Sequence, residues 1–224
     1  MVVVAHALMA RGGELGRVEG KAFSESRGLR WCDVEWHAPG ALPEAGGYAA
    51  CTVHLCSVKD VEGRGQRFPI PIRRRAGPGQ PRDPVCAYDE LAAAFSEDAR
   101  LLGGEAAAAP QPVFRRTCRG GAEAAVDTRD VNGAVRAVVR AAGEDPELFG
   151  AHSPRIGSAT DVRDLLGVAE GQAVIKARGR WRSDIHEIYE RASLEASLGA
   201  SARAADVRGR EIEAIFRAWV QPAR

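Results

Sequence analysis

The chain has 224 residues, 31 Lys and Arg against 30 Asp and Glu, a formal net charge of +1 and 45% hydrophobic content. That is enough chain for one full core and an ordinary soluble composition, with no apolar run near the ~20 residues of a membrane span. Five cysteines, Cys32, Cys51, Cys56, Cys86 and Cys118, include no C-x-x-C pair, which leaves no zinc-ligand pattern and fits reduced, mostly buried thiols.

Residues 2 to 19 read as helix. The opening MVVVAHALMA lacks the basic start of a secretory leader and runs straight into AHALMARGGELGRV, where His6, Leu8, Met9 and Leu15 surround Arg11 and Glu14. Residues 28 to 37 (GLRWCDVEWH) read as a strand alternating through Leu29, Trp31 and Asp33, and 38 to 47 as a Pro/Gly turn. A hairpin is expected from 50 to 72, with Val53, Leu55 and Ser57 alternating against Thr52, His54 and Cys56, a turn at Gly63 or Gly65, and Lys59 beside it. After a Pro/Gly loop, 87 to 102 reads as an amphipathic helix through Leu91, Ala94, Phe95 and Leu101. Residues 103 to 112 read as linker, 113 to 119 as a short strand, and Asp130 as the start of a helix with Val131, Val135, Val138 and Val139 on its apolar face.

The most informative stretch follows, HSPRIGSATDVRDLLGVAEGQAVIKARGRWRSDIHEIYER. Pro154 suits a first helical turn, and His152 and Arg155, three apart, share one face. Gly167 is expected to end that helix, 172 to 177 to form a second, and Ser183 or Asp184 to cap a third running from 185 to about 196. Ile185, Ile188 and Ala192 make the buried stripe of that third helix, with Tyr189 at its border. A terminal helix is expected over 211 to 220. Arginines cluster at Arg64, Arg67, Arg73, Arg74, Arg75 and Arg82, at Arg115, Arg116 and Arg119, and at Arg178, Arg180 and Arg182. Placed on one face they would track a duplex backbone, whereas the bland reading is a set of solvated faces in an arginine-rich composition.

The ordered set of H-x-x-R, then GRW, then SD, with a tyrosine eight residues after the tryptophan, resembles the tyrosine recombinases of the phage-integrase superfamily. It is most similar to the branch carried by eukaryotic mobile elements, in which tryptophan commonly replaces the third histidine of the signature. The resemblance implies a mainly α fold with a small antiparallel sheet (α+β) over residues 1 to 224, without the helical DNA-clamping domain that usually precedes it. It implies a catalytic set of Arg11, Lys59, His152, Arg155, Trp181 and Tyr189, with Glu14 supporting the first arginine. The chemistry it implies is metal-independent and cofactor-free breaking and rejoining of double-stranded DNA through a 3′-phosphotyrosine ester. Family members assemble as tetramers on DNA, which would give helix 211 to 220 a neighbouring subunit to contact. The location would be nuclear in a eukaryote and cytoplasmic otherwise. Two other readings stay open: a catalytically inactive DNA- or protein-binding remnant of such an element, and an unrelated helical module.

Overall fold

The period-two pattern around Val53 becomes the centre of a sheet. The computed structural model describes residues 1–23, 28–41, 45, 47–56, 67–77, 79–118 and 123–180. Strands β1 (Val34–His37), β2 (Ala50–Cys56) and β3 (Arg67–Arg73) pair antiparallel in that order, with Val34 opposite Val53 and Val53 opposite Ile70. Val34, Cys51, Val53, Leu55, Ile70 and Ile72 are all buried, so one face of the pleat meets the core. The opposite face carries Glu35, His37, Thr52 and His54, with His37 Nε2 2.9 Å from Thr52 Oγ1. Pro69 and Pro71 lie across from His54 and Thr52 in β3, which is compatible with an outer strand whose missing N–H groups face away from β2. A second, two-stranded sheet joins β4 (Arg115–Thr117) to β5 (Glu123–Ala125). The fold is thus α+β, as expected.

The expected strand over 28 to 37 is half a strand. Trp31–Asp33 form a single 3-10 turn because the Asp33 carboxylate accepts the Arg30 backbone N–H at 3.0 Å, and the ladder begins only at Val34. Trp31 stays buried by packing on Phe95, at 5.2 Å between ring centroids, and its indole N–H donates to Asp98 at 2.6 Å.

Helices cover the inner face. The expected 2-to-19 helix is two pieces, α1 (Val2–Ala7) and α2 (Gly12–Leu15), with Met9 at φ 46° between them. Helix α3 (Ala87–Leu102) has the expected bounds, but its packed stripe runs through Ala87, Leu91, Phe95, Ala99 and Leu102, while Ala94 and Leu101 face solvent. The i, i+4 row rather than the i, i+3 row meets the core. The expected 103-to-112 linker contains α4 (Glu105–Ala108), whose Ala108 is wholly buried. Helix α5 (Thr128–Ala141) starts two residues before Asp130, because Asp127 is its N-cap and Asp130 closes the capping box. Helix α6 (Ser153–Gly179) breaks at Gly167, where φ 77° and ψ 174° interrupt the helical backbone, so the expected stop is a kink and the second half begins directly after it.

Asp127 accepts the N–H groups of Arg129 and Asp130 at 2.9 and 3.2 Å and pairs with Arg17 at 3.2 Å, tying the segment after α2 to the start of α5. Burial works to raise this carboxyl, but the backbone donors of Asp130 and Arg129 and the guanidiniums of Arg129 and Arg17 outweigh it and hold it below its ordinary value. A depressed carboxyl stabilises the fold above its unfolded pKa and loses that contribution as pH falls through the depressed value. Asp127→Ala is therefore expected to cost about 1–2 kcal/mol at pH 7 in urea unfolding. The gap to wild type should narrow below about pH 4, and a gap that stays constant down to pH 2 would show that the charge is not involved.

Candidate functional site

The chain turns sharply between α1 and α2, and the turn is held from the far end of the described chain. Met9 adopts the left-handed region that favours glycine, and its buried side chain packs on Ala159 and Ile175, one from each half of α6. Its carbonyl accepts from Arg155 Nη1 and, at 3.4 Å, from Arg180 Nη2. Arg178 Nη2 donates to the Ala7 carbonyl at 2.9 Å and Arg180 Nη1 to the Leu8 carbonyl at 3.4 Å. These are the carbonyls that a helix C-terminus leaves without intrahelical partners, and three guanidiniums suit the negative end of its dipole.

Arg11 follows this corner. It is the N-cap of α2, with extended backbone, rather than a residue inside a helix. Its own N–H donates to Glu14 Oε2 at 2.7 Å and its Nη1 to Glu14 Oε1 at 3.1 Å. Glu14 is fully buried, and its Oε2 also accepts from Arg180 Nη2 at 2.6 Å. Arg180, read from sequence as part of a DNA-tracking cluster, is only 2% exposed at its side chain and sits at φ 57°, ψ 39°. Burial pulls its guanidinium below the ordinary arginine value, while the Glu14 charge works the other way. The Arg180 link is the feature that sequence reading missed; the only trace of it was the arginine inside GRW.

His152 and Arg155 arrive on α6. Ala151 N–H donates to Asn132 Oδ1 of α5 at 3.0 Å and Gly150 N–H to Ser153 Oγ at 3.0 Å, which fixes the approach to the helix. His152 caps α6 and is exposed, and its carbonyl accepts from Arg155 and Ile156 N–H, both at 3.2 Å. The two motifs touch: a Cβ on Gly12 would lie 3.3 Å from that of Ala151, so only glycine allows this approach without a shift. Arg11 and His152 each adjoin that contact. Arg155, expected to offer its guanidinium to a phosphate, is instead 1% exposed and donates to the Met9 and Gly179 carbonyls. Lys59, Trp181, Tyr189 and the helices expected over 185 to 196 and 211 to 220 lie outside the described residues.

The basic-face expectation needs revision. Arg67 pairs with Asp33, Arg74 with Asp89, Arg75 with Asp83, Arg82 with Glu90, Arg115 with Asp98 and Glu123, and Arg116 with Asp130. Among the described residues, most of the clustered arginines are thus paired with acids, and Arg64, Arg119 and Arg182 lie outside them. The thiols also divide: Cys51 and Cys86 are buried, with burial pushing Cys51 up to about 12, while Cys32 is exposed.

No family model, no curated protein and no solved structure is significantly similar to this chain.

Removing Glu14 would leave Arg180 buried without its carboxylate partner. Glu14→Leu is expected to lower unfolding free energy by about 3–5 kcal/mol. Urea titration checks this, and a loss below ~1 kcal/mol would mean that the carboxylate is dispensable to the fold.

Proposed function

We propose that the chain is a DNA strand-breaking and rejoining domain of the tyrosine-recombinase type, acting through Tyr189. The observation that carries the reading is the meeting of two motifs that lie far apart in the sequence. Arg155 donates to the carbonyl of Met9, two residues before Arg11, and Gly12 lies against Ala151 beside His152. Supporting it, Lys59 belongs to the connection between β2 and β3, two paired strands of an antiparallel sheet. No membrane-crossing helix occurs among the described residues.

In this reading the substrate is a phosphodiester of double-stranded DNA, already anionic and in need of charge neutralisation before a phenolate can attack. Arg11, 23% exposed at its side chain, is the more accessible of the two motif arginines. It grips a non-bridging oxygen, and Arg155 joins it by exchanging a carbonyl for the second oxygen. The Tyr189 oxygen attacks phosphorus, its proton passing through His152. The bond to the 5′ oxygen breaks, and Lys59 supplies the proton that this oxygen takes up. A 3′-phosphotyrosine ester remains, and attack by a 5′ hydroxyl reverses the sequence. Trp181 contributes an indole N–H to the phosphate and packing for the tyrosine segment. Charge neutralisation by guanidiniums makes the reaction independent of added metal. Assembly as a tetramer on DNA, through residues 211 to 220, belongs to the same reading.

The burial of Arg155 favours a second reading, in which the arginine is purely structural and the domain is a non-catalytic DNA- or protein-binding remnant. A suicide-substrate assay separates the two. Nicked duplexes of pooled sequence, incubated in EDTA, should give a covalent protein–DNA band with wild type and none with Tyr189→Phe. Arg11→Ala should reduce the band by about 10²–10³-fold. A folded wild type that binds the pool yet gives no band would establish the remnant reading.

A further inference from the structure

Arg180 presents three features that an ordinary surface arginine of a basic cluster lacks. Its side chain is almost fully buried, and its backbone occupies the left-handed region in which an arginine is strained. Its guanidinium spans both halves of the candidate site, with Nη2 on Glu14 at 2.6 Å and on the Met9 carbonyl at 3.4 Å, and Nη1 on the Arg178 carbonyl at 2.8 Å. The left-handed turn ends α6 while delivering the side chain inward to a carboxylate 166 residues earlier in the chain.

The same Glu14 Oε2 that accepts from Arg180 accepts the Arg11 backbone N–H, so one oxygen joins the two residues. Arg155 shares the Met9 carbonyl with Arg180.

We propose that Arg180 is a positioning residue: through Glu14 and the Met9 carbonyl it sets the placement of Arg11. This rests on the strand-breaking reading above. Arg180 does not touch the phosphate. It acts by holding the first arginine through one carboxylate, so that Arg11 meets the phosphate in a single geometry. Its loss leaves DNA affinity, which depends on phosphate contacts spread over the surface, and removes alignment.

Arg180→Gly is the informative variant, because glycine accepts the left-handed backbone and confines the change to loss of the side chain. Two measurements on the full chain decide the proposal. The first is single-turnover covalent capture on the pooled nicked duplex at saturating DNA, with the dissociation constant measured in parallel. The capture rate should fall about 100-fold while the dissociation constant moves less than about threefold. Arg180→Lys, which keeps the charge but not the fork, should recover part of the rate. Arg180→Gly combined with Glu14→Gln should be slower by less than the product of the two single losses, since the variants share the Arg180–Glu14 link while Glu14 also holds Arg11 directly. Capture by Arg180→Gly at the wild-type rate would overturn the proposal.

The second measurement is amide hydrogen exchange without DNA. Arg180→Gly should speed exchange of the amides of residues 8 to 15 by about tenfold or more and leave α3 and α5 unchanged. Unchanged exchange at 8 to 15 overturns the proposal, as does a uniform rise across α3 and α5, which would mark general destabilisation. If the wild type itself captures no DNA, the strand-breaking reading fails, while exchange at 8 to 15 still decides whether Arg180 places Arg11.

Discussion

A single buried carboxylate, Glu14, is the point on which the two ends of the described chain depend. It receives the Arg11 backbone and side chain from its own turn and Arg180 from the end of α6. Buried ion pairs seldom add much net stability over a well-packed apolar substitute, because desolvation offsets their attraction, and removing one partner is what costs. What the pair supplies instead is selectivity among packings. An apolar contact between α1 and α6 could slide by a turn, whereas a carboxylate with three assigned donors accepts one arrangement. The left-handed Met9 and Arg180 backbones are tolerated because this arrangement over-determines them.

Around that point the molecule spends its arginines inward. Arg155, Arg178 and Arg180 cap carbonyls at the end of α1 and of α6, and the arginines of the β3 and β4 regions answer acids on α3, α5 and the Asp33 turn. The near-zero net charge is therefore reflected locally as well as globally.

Elements whose signals are local were legible in the sequence. The alternation around Val53 gave the hairpin, the helical stripe from Ala87 gave α3, and Gly167 gave a break in α6. Elements decided by distant partners were not. Nothing between His6 and Arg11 announces a corner, since Met9 is neither glycine nor proline; the bend depends on Arg155, Arg180, Ala159 and Ile175, all beyond residue 150. The alanine-rich 105 to 108 looked like linker because its helix is justified only by the burial of Ala108. Of the six expected site residues, Arg11, His152 and Arg155 lie among the described ones, where Arg155 reaches the Met9 carbonyl and Gly12 lies against Ala151. The inward turn of Arg155 was invisible, because a motif specifies which residue is present and not which acceptor it chooses.

The outer strand of the larger sheet has a further consequence. An exposed strand edge is a template on which any extended chain can build, and proteins with such edges risk joining one another through continuous sheets. With Pro69 and Pro71 at alternate positions of β3, that edge cannot offer a regular row of donors, and β1 at the other side is only four residues long and bears Glu35 and His37. Copies of this chain would find little purchase for joining through either edge of this sheet.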